Sequence, residues 1–486
     1  MNKAVLQENL LIDGKRPPAL SGRSTTLINP ATSEALAVVA EAGPEDVDAA
    51  VQSADRAFRE GKWRQLNSRE RTRLLLRLAA LLREQTEELA RLESQNAGKP
   101  ISEARDEVGT VANCFEYYAG AINKIGGNTI PVAAPGVSLT FREPIGVCGL
   151  ILPWNYPMVI LAWKAAPALA MGNTIVVKPA EQTPLTALRI GELALEAGIP
   201  PGVFNVVPGE GVPAGEALVR HPLVRKISFT GSTEIGRHVM RLAADDVKRV
   251  TLELGGKSAN IVFADANLER AIPSAASSLL GNAGQDCCAR SRLLVERSIY
   301  DHFLSRLIEL FQNVKIGDPL DEKTEMGPLI SLGHLERVQS YIDAGQEEGA
   351  SLLCGGKKPD TGPLAAGAYL PPTLFGSVRP QMKIAQEEIF GPVLAVIPFD
   401  SEAEAVAIAN NSLYGLSGSI WTRDIERALR VARAVETGVL SINSGSSVHL
   451  EAPFGGVKHS GMGRELGLAA LDHYSELKSV FIHTGI

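Results

Sequence analysis

Apolar residues in the first third of the chain recur at helical spacing. One set follows Gly43-Pro44, a helix start signal, and a second set predicts one long helix that begins near Asn67-Ser68. Each set occupies one helical face: Val47, Val51, Ala54 and Phe58, then Leu74, Leu78, Leu81, Leu82, Leu89 and Leu92. The stretch ISEARDEVGTVANCFEYYAGAI continues the helical pattern.

Short apolar runs replace this pattern beyond residue 125. Residues 126–143 predict two strands around Ala134-Pro135-Gly136, which form a projecting hairpin. Strand-like runs then alternate with helical segments: IGVCGLIL, NTIVVKP, GVFNVVPG and KISFTGS, followed after residue 253 by ANIVF, RLLVE, VLAVIPF, GSIWT and GVLSIN. This alternation predicts parallel strands with crossover helices, which is an α/β fold.

The most apolar stretch, residues 144–163, approaches the length of a membrane span. Pro153, Asn155 and Pro157 interrupt it, and Lys164 follows it. It therefore predicts a buried strand, a loop and a buried helix. The N-terminal residues lack the apolar core of a signal peptide, so we expect no membrane attachment.

Composition narrows the function classes. The 486 residues suggest two to three domains, and 45% hydrophobic with 21% charged residues is the balance of a globular protein. A net charge of −7 argues against a nucleic-acid partner. The five cysteines form no disulfide framework, which predicts the reducing cytoplasm, and the eight histidines show no ligand spacing, so we expect no metal site.

Cys287 and Cys288 stand side by side in the stretch NAGQDCCARSR. Most cysteines are small buried residues without chemistry. Cys287, however, lies in a glycine-rich polar turn that leads toward Arg290 and Arg292, and nearby cations favour the reactive thiolate. It is therefore a candidate nucleophile.

Two further polar residues lie where they can face a cleft. Glu253 follows a predicted strand and precedes Gly255-Gly256, which permit close approach; a solvated loop carboxylate is the alternative. Asn155 lies between two prolines, where its amide can donate to an oxyanion or form an ordinary turn.

Two strand ends offer candidate cofactor contacts. Gly231 and Ser232 join a strand to a helix, where backbone amides can hold a phosphate, although the sequence is not the GxGxxG fingerprint. Lys178 ends a strand, and Glu181 just beyond it can hold ribose hydroxyls. Each feature taken singly also fits an ordinary turn or a surface charge.

Taken together, these motifs resemble the NAD(P)-dependent aldehyde dehydrogenase superfamily from about residue 10 to the C-terminus. The resemblance is carried by an ordered set of motifs: PWNYP, VVKPAEQTP, FTGSTEIG, LELGGKS, NAGQDCCARSR, EEIFGPV and PFGGVKHSGMGRE. The spacing between Glu253 and Cys287, 287 − 253 = 34, also matches the family.

The resemblance implies a division of chemical roles. Cys287 attacks the aldehyde to give a thiohemiacetal, hydride passes to the nicotinamide to leave a thioester, and Glu253 activates water for hydrolysis to the acid. Asn155 and the Cys287 backbone amide stabilise the oxyanion. Cys288 is then a neighbour in the pocket.

The resemblance also implies the cofactor contacts. Lys178 and Glu181 match positions that bind the adenosine ribose, and a carboxylate there would repel a 2′-phosphate, so NAD is favoured over NADP. Gly231 and Ser232 match the pyrophosphate site. Glu388 and Phe390 match residues that position the nicotinamide ribose and ring. Lys458 is read as structural.

The implied architecture is a Rossmann-like cofactor domain, a catalytic α/β domain and a β-hairpin oligomerisation arm. The expected division is 1–125 with 144–252 for the NAD-binding domain, 253–455 for the catalytic domain, and 126–143 with 470–486 for the arm. An added strand at a sheet edge would give a homodimer, which can pair into a homotetramer.

The substrate is predicted to be a cationic ω-aminoaldehyde or betaine aldehyde. Tyr156 and Trp163 are seven residues apart on a predicted helix, and with Phe454 they would line an aromatic channel that attracts an ammonium group. Asp286 and Glu451 could add negative charge at its entrance, or Asp286 could cap a turn.

Two further stretches, GQDC and GPLISLGHLERV, resemble the aminobutyraldehyde and betaine aldehyde dehydrogenase branch. The alternatives are a broad-specificity oxidiser of neutral aliphatic or aromatic aldehydes, a CoA-acylating relative, which would lack Glu253, and a catalytically silent binding protein.

Overall fold

The computed structural model describes residues 5–485. Its strands are β1 Leu6–Glu8, β2 Ser24–Ile28, β3 Ala35–Ala40, β4 Thr129–Ile130, β5 Gly136–Pro144, β6 Val147–Ile151, β7 Thr174–Lys178, β8 Phe204–Val206, β9 Val224–Thr230, β10 Arg249–Glu253, β11 Ala259–Val262, β12 Arg292–Glu296, β13 Ser351–Cys354, β14 Thr373–Gly376, β15 Val393–Phe399, β16 Gly418–Trp421, β17 Ser441–Ile442, β18 Gly461–Met462 and β19 Ser475–His483.

Helices separate most of these strands. They are α1 Pro44–Arg59, α2 Ser68–Glu84, α3 Thr86–Ala97, α4 Ile101–Ala121, α5 Pro157–Ala170, α6 Leu185–Glu196, α7 Ala217–Arg220, α8 Thr233–Ala244, α9 Leu268–Leu280, α10 Tyr300–Asn313, α11 Leu332–Glu347, α12 Lys383–Gln386, α13 Glu402–Asn410, α14 Ile425–Ala434 and α15 Ala469–Asp472.

Two parallel sheets organise the molecule, which confirms the predicted α/β fold. The six-stranded sheet has the order β18-β10-β9-β6-β7-β8, and the seven-stranded sheet has the order β13-β14-β15-β12-β11-β16-β17. All pairs are parallel except β10–β18 and β13–β14. Every residue of β6 and β7 is buried, as expected for parallel strands covered by helices on both faces.

The chain passes from the six-stranded sheet to the seven-stranded sheet through residues 254–258, between β10 and β11. A small sheet of order β1-β3-β2 precedes them. The predicted boundary at residue 253 remains a prediction, and residues 1–4 and 486 of the predicted domains lie outside the described range. No helix within residues 5–485 is long and apolar enough to cross a membrane.

The predicted hairpin is present and gains a third strand. β4 pairs antiparallel with β5, and β19 pairs along the full length of β5, from Ser475 opposite Pro144 to His483 opposite Gly136. The sheet order β19-β5-β4 leaves β19 at an edge.

The prediction of one long helix from Asn67-Ser68 is wrong. Asn67 caps the start of α2 as expected, because its side chain accepts from the Glu70 N–H. The helix ends at Glu84, and a second helix, α3, begins at Thr86. The break lets the two segments pack differently: α2 lies on α4, whereas α3 contacts both α4 and α6.

Candidate active site

One cavity of about 750 Å³ lies at the carboxyl ends of β6, β7, β9 and β10. This is where open parallel sheets bind ligands. All thirteen residues predicted from the sequence line it: Asn155, Tyr156, Trp163, Lys178, Glu181, Gly231, Ser232, Glu253, Asp286, Cys287, Glu388, Phe390 and Phe454.

A strained loop presents Cys287 to the cavity. Asn282, Ala283 and Gly284 adopt three consecutive left-handed conformations, which are costly for the two residues that carry a Cβ. The Gln285 side chain stabilises this loop with two hydrogen bonds. Its Nε2 donates a hydrogen bond to the Asn282 carbonyl at 3.0 Å, and its Oε1 accepts one from the Ile330 N–H at 2.8 Å. Cys287 is therefore held on a preorganised backbone.

Cys287 and Cys288 are the two central residues of a β-turn. The Ala289 N–H donates to the Asp286 carbonyl at 3.0 Å and closes the turn. The Asp286 carboxylate accepts the Cys288 N–H at 2.8 Å, so it caps this turn. Burial raises the pKa of Asp286, which disfavours the charge predicted for the entrance.

Arg290 and Arg292 do not outweigh the groups that disfavour the Cys287 thiolate. The pKa of Cys287 is raised well above its usual value, first by the hydrogen bond with the Cys288 thiol and then by desolvation. Arg290 instead donates to the Cys288 carbonyl and, at 2.8 Å, to Ser447 Oγ. Arg292 donates to backbone carbonyls, including that of Lys257 at 2.8 Å.

The two glycines after Glu253 do permit close approach. A Cβ on Gly256 would lie 2.3 Å from the Cys287 carbonyl oxygen, and one on Gly255 would lie 2.3 Å from Glu388 Oε2. Neither glycine has a positive φ, so the requirement comes from packing. The loop after β10 thus supports both the cysteine turn and Glu388.

Glu253 is a buried carboxylate and not a solvated loop residue. It ends β10 and is 4% exposed, and its Oε2 has no hydrogen-bond partner among the described residues. Desolvation and then the neighbouring Glu465 raise its pKa well above the usual value. Glu465 is itself paired with buried Lys164.

Asn155 holds the loop around the nucleophile together. Its side-chain Nδ2 donates to the Gln285 carbonyl at 2.9 Å, and its own carbonyl accepts from Asn282 Nδ2 at 2.8 Å and Lys99 Nζ at 3.1 Å. An amide nitrogen carries two hydrogens, so one donor remains for a ligand.

A second set of residues lies at the other end of the cavity. Lys178 Nζ contacts Glu181 Oε1 at 3.1 Å, and burial lowers the pKa of Lys178. Ser232 caps α8, where its Oγ accepts the Ile235 N–H at 3.3 Å. The neighbouring Thr230 Oγ1 is buried and has no partner within residues 5–485.

Glu388 and Phe390 lie in the loop after α12 and border both ends of the cavity. Glu388 Oε1 accepts the Gly256 N–H at 2.9 Å, and burial raises the pKa of Glu388 to about 7. Phe390 has a left-handed φ of 62°, and its ring packs edge-on against Trp154 at 5.2 Å between centroids.

Aromatic residues surround the remaining space as predicted. The Trp163 and Phe454 rings are 5.2 Å apart. Tyr156 precedes α5 instead of lying within it, yet it still lines the cavity with Trp163. Glu451 is exposed and is not part of the cavity lining, so the role predicted for it at the entrance is not supported.

Sequence reasoning missed a buried charge cluster beside Tyr156. Lys99 Nζ lies 4.5 Å from the Tyr156 ring centroid, 2.5 Å from Glu107 Oε1 and 3.5 Å from Glu93 Oε1. Glu107 lines the cavity, and its Oε2 has no partner among the described residues. Desolvation raises its pKa to about 8. The sequence did contain a pattern that indicates this cluster, because Glu103 and Glu107 fall on the apolar face of α4.

The two ends of the cavity suit different chemical groups. One end offers a thiol, an unpaired carboxylate oxygen and an amide donor, which together can capture and hydrolyse a carbonyl group. The other end fits a dinucleotide, because the unpaired Thr230 Oγ1, the start of α8 and the Lys178–Glu181 pair offer donors and acceptors for phosphate and ribose.

Comparisons with known proteins agree with this assignment. Residues 19–480 match a family model described as the aldehyde dehydrogenase family. The chain is 46% identical over 480 residues to a betaine aldehyde dehydrogenase of Bacillus subtilis, covering 99% of this chain and 98% of that protein. It is also 46% identical over 477 residues to the putative aldehyde dehydrogenase DhaS of the same organism, covering 98% and 96%.

A solved structure of an aldehyde dehydrogenase from Bacillus cereus, described as an NAD⁺ complex, superposes with a TM-score of 0.96. The two sequences are 46% identical, and the match covers 98% of this chain and 97% of that one.

Proposed function

Because the chain belongs to the aldehyde dehydrogenase family and is an NAD-dependent aldehyde oxidoreductase, we propose that Cys287 is its nucleophile and Glu253 the base for hydrolysis. The observation that carries this proposal is that Cys287, Glu253 and Asn155 line one cavity, where Glu253 Oε2 is buried and has no partner in the described part of the chain.

The proposed chemistry begins with bond formation between Cys287 Sγ and the aldehyde carbon. The carbonyl electrons move onto oxygen, where the free hydrogen of Asn155 Nδ2 and the Cys287 N–H stabilise the negative charge. Bound NAD supplies the hydride acceptor for oxidation of this adduct to a thioester. Glu253 then takes a proton from water, the water oxygen adds to the thioester carbon, and the carboxylic acid leaves as the Cys287 sulfur is released.

The raised pKa values have a direct bearing on this scheme. A Cys287 thiol with a raised pKa is protonated at rest and must release its proton to water as the C–S bond forms. Glu253, whose pKa is also raised, is a stronger base than an exposed glutamate once it is ionised. The hydrolytic step should therefore accelerate as the pH rises.

We assign Lys178, Glu181, Ser232, Glu388 and Phe390 to cofactor binding. Glu181 would accept hydrogen bonds from ribose hydroxyls and would repel a 2′-phosphate, which favours NAD over NADP. Glu388 would accept hydrogen bonds from the hydroxyls of the nicotinamide ribose. The Phe390 ring would limit the space for the nicotinamide ring.

For the substrate we propose a cationic aldehyde, an ω-aminoaldehyde or betaine aldehyde. Trp163, Phe454 and Tyr156 supply aromatic surface, which attracts quaternary ammonium groups. The Lys99 ammonium group already lies over the Tyr156 ring, so this ring attracts a substrate cation less strongly than a free ring would. Glu107 pairs with Lys99 through Oε1, whereas its Oε2, which has no partner among the described residues, offers counter-charge to a substrate, because a bound cation would favour ionisation of this carboxyl group.

A substrate pair that differs only in charge tests this proposal. Betaine aldehyde and 3,3-dimethylbutanal have the same shape, and the first carries a permanent positive charge. We expect kcat/KM to favour betaine aldehyde, and Glu107→Gln to reduce that preference by about tenfold, which corresponds to the loss of about 1.4 kcal/mol of electrostatic attraction.

Glu116→Gln, on the exposed side of the same helix, is the matched control and should leave the ratio unchanged. Equal kcat/KM for the two aldehydes would reject the cationic substrate and favour the alternative, a broad oxidiser of neutral aldehydes. NADH formation that requires added CoA would reject the hydrolytic reaction itself.

We also propose that β5 and β19 mediate assembly of a homodimer or homotetramer. Phe141, Leu477, Phe481 and Ile482 are exposed apolar residues on these two strands. Such a surface is typical of an interface with another chain. Light scattering should find at least a dimer that Leu477→Asp weakens; a monomeric wild-type chain would reject the proposal.

A further inference from the structure

Asp286, Cys287 and Cys288 form a compact set of metal-type donor atoms. One carboxylate oxygen and the two Sγ atoms all lie within 4.8 Å of one another. Donors bound to one tetrahedral Zn²⁺ at about 2.3 Å lie about 3.8 Å apart, so small side-chain rotations would let all three reach the same ion. Soft thiolates together with a carboxylate favour Zn²⁺ or Cd²⁺ over Mg²⁺.

Surrounding groups favour a cation at this position. All three residues line the cavity, so a hydrated ion has a path to them. Glu253 lines the same cavity, is 4% exposed, and has a carboxylate oxygen without a partner among the described residues. The nearest arginine, Arg290, is directed to the Cys288 carbonyl and Ser447 and does not fill the site.

We propose that Asp286, Cys287 and Cys288 bind one thiophilic divalent cation, such as Zn²⁺, and that this ion reversibly inhibits the enzyme. Binding displaces the two thiol protons and forms two metal–sulfur bonds and one metal–oxygen bond, with water in the fourth position. The sulfur electron pairs are then engaged by the metal and cannot attack an aldehyde. The inhibition rests on Cys287 being the nucleophile, whereas the binding does not.

Cadmium and zinc titrations of the full chain under anaerobic conditions test this proposal. Cd²⁺ should give the ultraviolet charge-transfer band of cadmium thiolates, saturating at one ion per chain. Zn²⁺ should abolish aldehyde oxidation, and EDTA should restore it. The absence of air excludes oxidation of the two thiols as the cause.

Variants of Cys288 show whether the cation binds at the Asp286, Cys287 and Cys288 site or at another thiol of the protein. Cys288→Ala and Cys288→Ser should keep most of the oxidation activity, lose at least half of the cadmium band, and need at least tenfold more Zn²⁺ for half inhibition. Cys354→Ser, which removes a partly exposed thiol from strand β13, should behave as wild type.

The unfolding temperature and NAD binding show whether each variant is folded. If Cys288→Ala disturbs the turn, Cys288→Ser tests the proposal in its place. Equal zinc sensitivity in the wild type and a folded Cys288 variant would overturn the proposal, as would the absence of a cadmium band in the wild type. A normal cadmium band with no loss of activity would keep the binding site and instead contradict Cys287 as nucleophile.

Discussion

The two ends of the cavity differ in how well their polar groups are satisfied. At the cysteine end, Cys287 and Glu253 have strongly raised pKa values. The Oε2 atoms of Glu253 and Glu107 have no hydrogen-bond partner within the described chain. At the other end, the charged Lys178 pairs with Glu181 and Ser232 caps a helix, and the buried group without a partner among the described residues is a neutral hydroxyl, Thr230 Oγ1.

This difference indicates which end does chemistry and which end binds. Buried polar groups that lack a hydrogen-bond or ionic partner in the free protein are typical of reactive sites, because the substrate or the reacting atoms supply that partner. At the other end the two charged groups, Lys178 and Glu181, are already paired with each other, so they lose little when a ligand leaves. We therefore expect loss of Cys287 or Glu253 to change rates by orders of magnitude, and substitutions at the nucleotide end to change the NAD/NADP ratio modestly.

Loss of the nucleophile should have the largest effect. Cys287→Ala should lower kcat by at least about 10⁴-fold, since it removes the sulfur that forms the covalent adduct. NAD binding, measured by fluorescence quenching, should stay near normal. Cys354→Ala is the control; a Cys287 variant with substantial activity would remove the proposed distinction between the two ends.

Loss of the base should come next. Glu253→Gln should reduce kcat by about 10²–10⁴-fold while the first turnover of NADH formation is affected less. Because the pKa of Glu253 is raised, the group is protonated at low pH and inactive there. Wild-type kcat should therefore still rise with pH in the range where an exposed glutamate is already fully ionised, and this rise should disappear in Glu253→Gln. The same pH profile in both proteins would exclude Glu253 as the base.

At the nucleotide end, Glu181→Ser should lower the NAD/NADP ratio of kcat/KM by about tenfold. The effect is modest because Glu181 is 42% exposed and solvent screens its charge. Glu196→Ser, an exposed substitution near the end of α6, should leave the ratio unchanged. A wild-type preference for NADP would contradict the cofactor assignment.

The smallest effect on turnover is expected for Cys288→Ala, within about threefold, because this cysteine acts as a small buried residue. The Cys288 thiol is the largest cause of the raised Cys287 pKa, so its removal should lower that pKa. Inactivation by iodoacetamide at neutral pH should then become faster than in wild type. A slower rate would mean that the two thiols do not interact as described.

Motifs that follow strand ends were the most predictable feature of this chain. Asn155, Lys178, Ser232 and Glu253 meet in one cavity because the carboxyl ends of parallel strands meet at one edge of a sheet. Cys287, Glu388 and Phe454 lie on loops outside this sheet, and only the family resemblance placed them with the others. The strands and the arm hairpin were likewise predictable, since each is a short apolar run bounded by turn residues.

Features that depend on contacts between distant segments were not predictable. The break at Gln85 separates a helix that packs on α4 from one that also reaches α6, and no local breaker marks it. The Lys99–Glu107 pair lies beneath Tyr156 only because α4 crosses the start of α5. For Asp286 the sequence left two roles open, a charge at the entrance or the cap of a turn, and the hydrogen bond from the Cys288 N–H shows that it caps the turn.

The central claim is that Cys287 carries the acyl group and Glu253 releases it. The most direct measurement is peptide mapping by mass spectrometry of Glu253→Gln, quenched in acid after mixing with NAD and betaine aldehyde. We predict one acyl group per chain, bound as a thioester at Cys287, that appears together with the first turnover of NADH. An acyl group on Cys288, or NADH formation without any acylated peptide, would contradict the account.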